Sequence, residues 1–336
     1  MSSLFKNPVA RRLLRPATTL VDQRVQRPVS RLRKDIDKVA HGDREARESL
    51  RKELDSLRKE LGGVRKEMGS LRDEVSGLRG KQYAYDLIFE RVGRAGHRAP
   101  TKEQFEKLVD EIAEVSGQDR RFARRNATAA FRNVVALEAL GVGRVAGTNS
   151  NVCGKLATVP LLDPPNGDVL EIGTLFGLFS ATFMRMLHRA GIEPRLTIVD
   201  PLAGSQLQPG TNFGSEPTGT PVRLDVVRAN LALGGTAGEL ARIQQGFSGD
   251  EEVREAVSDR QYGVIIIDGD HSEEGVAADL EWAEQIAAPG GIVVLDDYGD
   301  PGWEGVQAAG DKHLAGTTRF DLVGRVATSA FLRARD

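Results

Sequence analysis

The spacing of apolar residues changes along the chain and divides it into segments of different predicted structure. Between residues 50 and 79 apolar side chains recur at alternating steps of three and four, the heptad pattern of a left-handed coiled coil. Residues 83–142 follow a helical period, and residues 143–166 are rich in Gly, Asn and Pro, which predicts a loop region. From Asp168 onward strand-length apolar runs alternate with helix-length segments, which predicts an α/β sheet domain.

The heptad segment carries charges that favour self-association with parallel chains. Its two apolar positions are filled by Leu50, Leu57, Val64, Leu71 and Leu78, and by Leu54, Leu61, Met68 and Val75. The flanking positions are glutamate on one side, as at Glu53 and Glu60, and arginine on the other, as at Arg58 and Arg65. In a parallel pair each glutamate faces an arginine, whereas an antiparallel pair opposes like charges. We therefore predict a parallel dimer about 45 Å long, with a solvated single helix or an intramolecular hairpin as the open alternatives.

The sheet domain is predicted as a Rossmann-like, doubly wound and mostly parallel sheet of seven strands. The strands are expected near residues 168–172, 196–200, 241–245, 262–268, 291–296, 319–324 and 328–333. The last two strands follow each other without a helix and should form an antiparallel pair. The predicted domains are a basic arm and linker (1–49), the coiled coil (50–82), a helical cap and loop (83–165) and the sheet domain (166–336).

Composition and charge narrow the class of protein. The net charge of −2 over 336 residues gives no reason to expect a nucleic-acid partner. The single cysteine, Cys153, excludes an internal disulfide and indicates a reducing, cytoplasmic location. Residues 1–34 hold nine Lys or Arg and one acid, which leaves three readings open: a disordered tail, a peripheral contact with an anionic membrane, or a partner-binding segment. An organelle transit peptide is a further open alternative.

Two predicted neighbouring strands end in acids. One strand runs into Asp268-Gly269-Asp270-His271, and the next ends at Asp296-Asp297. Because parallel neighbours in a βαβ unit finish at the same sheet edge, these carboxylates and the imidazole should lie close together. Clustered oxygen ligands suit a magnesium-type cation, so we predict a metal site here, although the paired acids could also cap the following helix.

The first predicted strand ends in a glycine turn. Glu171 and Gly173 precede Gly177, where a helix should begin, and the glycines allow close approach of a ligand to the backbone. An acid at this position repels a pyrophosphate and suits a cationic, amine-bearing ligand. Asp200 ends the second strand, where an acid commonly binds ribose hydroxyls, although it could equally cap a turn. The two features together predict a cofactor that contains adenosine.

These motifs resemble those of class I S-adenosylmethionine-dependent methyltransferases. The resemblance is carried by the Glu171 to Gly177 turn, Asp200, the Asp268 to His271 segment and Asp296-Asp297-Tyr298, and it covers about residues 166–336. Within that class the chain looks like the metal-dependent O-methyltransferases, especially the branch around macrocin-type sugar O-methyltransferases. One departure is Leu175 at the middle of the turn, where many members have glycine.

The resemblance implies a role for each motif residue. The cofactor-binding residues would be Glu171, Gly173, Thr174, Gly177, Asp200 and Ser248, the last a guess for the adenine pocket together with Phe247. The metal ligands would be Asp268, Asp296 and Asp297. His271 would act as general base beside Asp268, although it could also be a structural turn residue. The implied reaction is Mg²⁺-assisted transfer of a methyl group from S-adenosylmethionine to a hydroxyl of a small-molecule or glycan acceptor.

Other functions remain open from the sequence. A catechol-like phenol is the second candidate acceptor. A nucleotide-sugar or nicotinamide enzyme would share the fold, but it normally carries a phosphate-binding glycine pattern that this chain lacks. A non-catalytic assembly protein, with a coiled coil and a degenerate methyltransferase domain, is the alternative outside the enzymes.

Overall fold

The structure is a computed structural model that describes part of the chain, namely residues 19–20, 22–89, 100–204 and 220–336. Residues 1–18 and 21 of the predicted basic arm and linker lie outside these ranges, so a contact of the arm with a membrane or partner stays a prediction. The chain divides into two compact units, Met1–Gln82 and Tyr83–Asp336. Within the described ranges, each helix lacks either the length or the apolar character that a bilayer span requires.

The first unit is dominated by one long helix. Helix α1 (Arg27–Phe89) follows a short π-helical turn, Asp22–Gln26, and continues without a break through the predicted boundary at residue 50. Its heptad leucines are exposed in the single chain, as at Leu50, which is 62% exposed. The helical conformation predicted for the heptad segment is therefore confirmed, whereas its pairing with a second copy stays a prediction.

Two amphipathic helices of the second unit lie within residues 83–142, for which the sequence predicts a helical period. Helix α2 (Lys102–Ser116) begins at a capping box, in which the Gln104 amide donates to the Thr101 hydroxyl oxygen and the Gln104 side chain accepts from the Thr101 amide. Helix α3 (Arg120–Leu140) is capped by Asp119, which accepts from the Arg121 amide. Both helices bury one apolar face against the sheet domain.

The prediction of a loop at residues 143–166 was wrong in part, because this segment contains a helix. Helix α4 (Asn149–Thr158) begins at Thr148, whose hydroxyl oxygen accepts from the Asn151 amide, and a short 3₁₀ turn (Val159–Leu161) follows it. Nearly every residue of α4 is buried. A helix buried on all sides shows no amphipathic period, so the hydrophobic pattern could not reveal it.

The remaining elements form the α/β domain. The strands are β1 (Asp168–Ile172), β2 (Arg195–Asp200), β3 (Arg242–Gln245), β4 (Tyr262–Ile267), β5 (Ala287–Leu295), β6 (Phe320–Val326) and β7 (Ser329–Ala334). The helices are α5 (Leu178–Arg189), α6 (Leu224–Ala232), α7 (Thr236–Glu239), α8 (Glu251–Val257), α9 (Glu273–Ile286) and α10 (Glu304–Ala315). They assemble into one seven-stranded sheet of order β3-β2-β1-β4-β5-β7-β6.

The sheet register brings three strand ends to one level. Strands β1 to β5 pair in parallel, with Ile172 opposite Ile267 and Ile267 opposite Leu295. Strand β7 is antiparallel to both β5 and β6. The predicted Rossmann-like, mostly parallel fold is therefore confirmed, including the antiparallel final pair, and residues just after β1, β4 and β5 share one edge.

Both faces of the sheet are covered by apolar layers. Val169 and Val264 face the layer formed with α2 to α6, whereas Leu170 and Ile265 face the layer formed with α8 to α10. Burial of each such side chain contributes about 1.5–3 kcal/mol. The two layers hold the central strands in place and thereby fix the edge at which their acidic residues emerge.

Candidate functional site

The turn after β1 has a backbone that only glycine fits at its first position. Gly173 has a φ of +85°, and a Cβ atom there would lie 2.1 Å from the carbonyl oxygen of Asp268. Leu175 also adopts a positive φ, +53°, which is unusual for a residue with a side chain. The turn therefore brings the end of β1 into backbone contact with the end of β4, beside the acidic segment.

Asp200 organises this turn from the end of β2. Its Oδ2 accepts hydrogen bonds from the amides of Thr174 (2.7 Å) and Leu175 (3.2 Å), and its Oδ1 accepts one from the amide of Leu202 (2.7 Å). Of the roles considered from sequence, the turn cap is therefore observed. Oδ1 keeps a further lone pair, so ribose binding remains a compatible proposal.

Glu171 is a buried acid with an unusual pKa. It is 2% exposed and accepts a hydrogen bond from the Ser180 hydroxyl. Burial raises the pKa of Glu171 to about 8, although the hydroxyls of Ser180 and Thr174 act in the opposite direction. A cation bound beside Glu171 would favour its ionised form, so the group is suited to an amine.

A cavity of about 430 Å³ opens along this sheet edge. Its lining includes most of the residues predicted from the sequence to bind a cofactor or to act in catalysis: Glu171, Gly173, Thr174, Asp200, Ser248, Asp268 and His271. Gly177 is not among the lining residues. With a φ of +76°, it forms the N-terminal cap of α5, and a Cβ atom there would press on Val227 and Leu231.

Three side chains converge on one point at the ends of β4 and β5. The Nε2 atom of His271 lies 3.7 Å from Oδ1 of Asp268 and 3.6 Å from Oδ2 of Asp297. The imidazole is 9% exposed and lies against Trp303, with 4.5 Å between the ring centroids and the rings tilted by 48°; it has no hydrogen-bond partner among the described residues. All three donor atoms lie within 4.8 Å of one another. A buried, unpartnered imidazole between two carboxylates fits a divalent cation.

The electrostatics of this cluster also favour a cation. Burial, followed by the charges of Asp296 and Asp268, raises the pKa of Asp297 to about 7. Burial and Asp296 likewise raise the pKa of Asp268. Burial lowers the pKa of His271, but Asp268 and Asp297 reverse this effect and leave it raised. Asp297 adopts a left-handed φ of +55°, which turns its side chain toward His271.

Asp296 differs from the predicted arrangement because its carboxylate is fully engaged by protein groups. Its Oδ1 accepts from the side chains of Asn151 (2.7 Å) and Ser329 (2.8 Å), and its Oδ2 accepts from the ammonium of Lys155. Burial opposes ionisation, but Lys155 dominates and lowers the pKa of Asp296 to about 2. In the cluster that could hold a cation, His271 therefore takes the place that the sequence analysis gave to Asp296.

Lys155 is the functional-site residue that sequence reasoning missed. It is 1% exposed. Its Nζ atom donates to Asp296, lies 3.5 Å from Oδ2 of Asp268, and lies 4.9 Å from the centre of the Phe179 ring. Burial lowers the pKa of Lys155, but the neighbouring acids outweigh this and leave it raised. A single lysine within an otherwise apolar and small-residue stretch was the available signal.

Part of the sheet domain matches a known protein family. Residues 170–298 match the family described as a methyltransferase domain, which confirms the class predicted from the motifs. No curated protein matches the chain significantly.

Solved structures with a related fold are distant. An O-methyltransferase from Bacillus cereus in complex with SAH is 15% identical, with 76% of this chain and 96% of that chain covered and a TM-score of 0.38. TomG, an O-methyltransferase from Streptomyces achromogenes in complex with SAM, is 17% identical over 62% of this chain and 89% of that chain, with a TM-score of 0.39. CalS11, a TDP-rhamnose 3′-O-methyltransferase, is 19% identical over 71% of this chain and 97% of that chain, with a TM-score of 0.38.

The raised pKa of Glu171 predicts how stability changes with pH. The pKa of Glu171 is about 8 in the folded state, above the ordinary value of about 4.3. The contribution of this group to the free energy of unfolding is therefore fully present below pH 4 and is lost as the pH rises toward 8. Glu171→Gln should remove this loss and stabilise the cofactor-free protein at pH 9 by a few kcal/mol, on the order set by the shift. Chemical unfolding at several pH values measures this. Glu193→Gln, at an 86% exposed side chain, is the control; equal effects of both variants would contradict the prediction.

The buried pair of Lys155 and Asp296 predicts strong coupling between two substitutions. Lys155→Met leaves Asp296 buried without its counter-charge and should cost about 3–5 kcal/mol, whereas adding Asp296→Asn should restore much of that loss. Urea unfolding of both single variants and the double variant measures the coupling. Arg223→Met, at the exposed pair with Asp225, should leave the midpoint nearly unchanged. Additive effects at 155 and 296 would show that the pair is not coupled.

Proposed function

We propose that this protein transfers a methyl group from S-adenosylmethionine to a hydroxyl group of a sugar or glycoconjugate. The observation that carries the proposal is the convergence of Asp268, His271 and Asp297 beside the glycine turn of a methyltransferase domain. The sugar-type acceptor rests on the Asp268-to-His271 spacing and on the resemblance of these motifs to sugar O-methyltransferases. The single cysteine supports a cytoplasmic location for this chemistry.

The cofactor would lie along the acidic lining of the cavity. Glu171 is placed to neutralise the amino group of the methionine part, and Gly173 and Thr174 allow close approach to the turn. Asp200 would accept a hydrogen bond from a ribose hydroxyl with the remaining lone pair of Oδ1. These assignments need no movement of the backbone, because Asp200 already holds the turn.

The acceptor hydroxyl would bind at the cluster of Asp268, His271 and Asp297, which we propose holds Mg²⁺. Such a cation, when bound, stabilises the negative charge that develops on the acceptor oxygen. Asp268 and Asp297 would supply its carboxylate ligands. The pair of Lys155 and Asp296 would keep the floor of the site neutral and fix the position of Asp268.

His271 is the proposed proton acceptor. Its Nε2 atom faces both carboxylates, and imidazole is the side chain best suited to exchange protons in catalysis. The same atom could serve instead as a third cation ligand. His271→Gln separates the two roles, because loss of the base changes the pH–rate profile, whereas loss of a ligand weakens cation binding measured by calorimetry.

Two alternatives make different predictions. A catechol-like phenol has a more acidic hydroxyl than a sugar, so a phenol acceptor would react with less dependence on His271. A non-catalytic assembly protein would bind the cofactor without turnover. A labelled methyl-donor assay against extracted glycans, glycolipids and phenols, with mass spectrometry of the product, distinguishes all three.

Removal of the cation should abolish methyl transfer. We expect EDTA to stop the reaction and added Mg²⁺ to restore it, and Asp297→Asn to lower kcat/KM by roughly 100-fold or more, because several kcal/mol of charge stabilisation is lost. Asparagine tolerates the left-handed backbone of Asp297, so the loop should keep its shape. Asp321→Asn, on an exposed residue of β6, is the control. Full activity of Asp297→Asn would refute the cation site.

We also propose that the heptad segment of α1 pairs in parallel with a second copy of the chain. The support is the exposed apolar seam, including Leu57 at 59% exposed, flanked by complementary Glu and Arg positions. Such a pair would cover the seam. It would place each glutamate beside an arginine of the second copy along the whole repeat, as Glu53 beside Arg58.

A cysteine scan tests this arrangement. Leu57→Cys lies on the seam and should give a disulfide-linked dimer under mild oxidation, whereas Lys59→Cys, on the outer face of the heptad, should not. Cys153 is buried and does not compete. Non-reducing electrophoresis reads the result. Cross-linking only when Leu57→Cys and Met68→Cys chains are mixed would indicate an antiparallel pair instead, because the two kinds of apolar position then face each other.

A further inference from the structure

The apolar seam of α1 continues upstream of residue 50, where the predicted coiled coil begins. Four large apolar side chains of the same continuous helix are more than half exposed in this stretch: Val29 (57%), Leu32 (63%), Ile36 (59%) and Val39 (72%). They follow one another at steps of three, four and three residues, which is the spacing of a coiled-coil seam. The segment assigned from sequence to the basic arm and linker therefore carries an exposed apolar stripe.

The upstream stripe joins the downstream seam through one irregular step. The spacing of three and four continues from Val39 through Asp43 and Ala46 to Leu50. The next seam residue after Leu50 is Leu54, so two steps of four follow each other. The steps of three, four and four from Asp43 to Leu54 make one 11-residue repeat between two sets of heptads. Such an insertion of four residues locally unwinds a left-handed coiled coil and does not end it.

An unbroken heptad is the alternative phase for this stretch, and the residue types disfavour it. Stepping back by sevens from Leu54 exchanges three seam residues, Leu32, Val39 and Ala46, for three others: Arg33, Ala40 and Arg47. Burying arginine side chains on a seam costs free energy, whereas burying leucine and valine gains it. The residue types therefore favour the phase that contains the 11-residue repeat.

Asp43 is the charged residue on this seam. Its Oδ2 atom lies 3.1 Å from Nη2 of Arg47, one turn further along the same helix, so each copy of the helix carries its own counter-charge at this level. A polar residue at one seam position lowers the stability of a coiled coil and helps to fix its register. Asp43 is therefore compatible with a seam that passes through it.

The irregular step indicates what covers the seam. Helix α1 runs without a break from Arg27 to Phe89, so no part of this helix folds back on its own seam. A partner helix must change phase at the same level, because otherwise its apolar residues lose contact beyond that point. A second copy that lies parallel and in register meets this condition along the whole seam. An antiparallel copy centred on the repeat would leave the seam from Met68 to Leu78 beyond the start of the second α1.

We propose that the self-association seam of α1 runs from Val29 to Leu78 through one 11-residue repeat and binds a second copy of the chain in parallel register. The inference rests on the pairing proposed for residues 50–79 and extends it over a segment that the sequence assigned to the arm and linker. The paired rod would be about 75 Å long, at about 1.5 Å per residue.

Single-cysteine variants of the full-length protein test the phase of the seam. Leu32→Cys and Val39→Cys should each give a disulfide-linked dimer under mild oxidation, because parallel register brings identical seam positions together. Arg33→Cys and Ala40→Cys, each one residue further along, should not cross-link on non-reducing electrophoresis. Cross-linking of Arg33→Cys and Ala40→Cys in place of the first two variants would show an unbroken heptad and overturn the inference.

Leu57→Cys separates this inference from the pairing on which it rests. Cross-linking at Leu57 without cross-linking at Leu32 and Val39 would leave the downstream pairing in place and refute its extension. Absence of cross-linking at all three positions would refute both. Cross-linking of Leu32→Cys only when it is mixed with Leu61→Cys would indicate an antiparallel copy centred on the repeat, and would overturn the parallel register.

Two deletions across the repeat give a second readout. Removal of residues 46–49 places Leu50 three residues after Asp43 and restores an unbroken run of heptads, so the dimer should persist. Removal of residues 47–49 places Leu50 directly after Ala46 and offsets the two parts of the seam. The dissociation constant measured by sedimentation should then rise by roughly 10-fold or more, because part of the apolar seam is no longer covered. Equal dissociation constants for the two deletion variants would contradict the continuous seam.

Discussion

The site is organised by the ion pair between Lys155 and Asp296, which is buried at the end of β5. The carboxylate joins three elements, because it accepts from Lys155 and Asn151 on α4 and from Ser329 on β7. Two charges removed from water are tolerated only where such partners satisfy the remaining hydrogen-bonding capacity. The pair therefore fixes α4 against β7. It also fixes both elements against the end of β5, where Asp297 follows.

The ion pair of Lys155 and Asp296 gives three neighbouring acids different electrostatic environments. Asp296 is ionised and hydrogen-bonded within the protein. Its charge therefore neutralises most of the charge of Lys155. Asp268 and Asp297 have raised pKa values because burial, followed by the charge of Asp296, disfavours their ionised forms. A divalent cation would supply a counter-charge. Two adjacent residues, Asp296 and Asp297, thus have different surroundings, and Asp297 adopts a left-handed φ.

The strands and the glycine turn could be predicted because their signals are local. Apolar runs end in Asp200, Asp268 and Asp296, and each run is one buried strand. Helix α4 could not be predicted, since burial on all sides removes the amphipathic period. Lys155 was missed for a related reason: a lysine is normally exposed, and its burial follows only from tertiary proximity to Asp296.

The charges that line the cavity also bear on which cofactor it accepts. Five acids, Glu171, Asp200, Asp268, Asp270 and Asp279, face three bases, Arg144, Lys155 and Arg254. Lys155 is neutralised by Asp296, and Arg254 donates to carbonyl oxygens at the periphery. The acids at the turn leave no cradle of free amides for a pyrophosphate, since Asp200 already accepts from Thr174 and Leu175. Such a lining disfavours a dinucleotide or nucleotide sugar and favours a ligand rich in donors and positive charge, as a sulfonium bearing an amine, ribose hydroxyls and an adenine amino group would be.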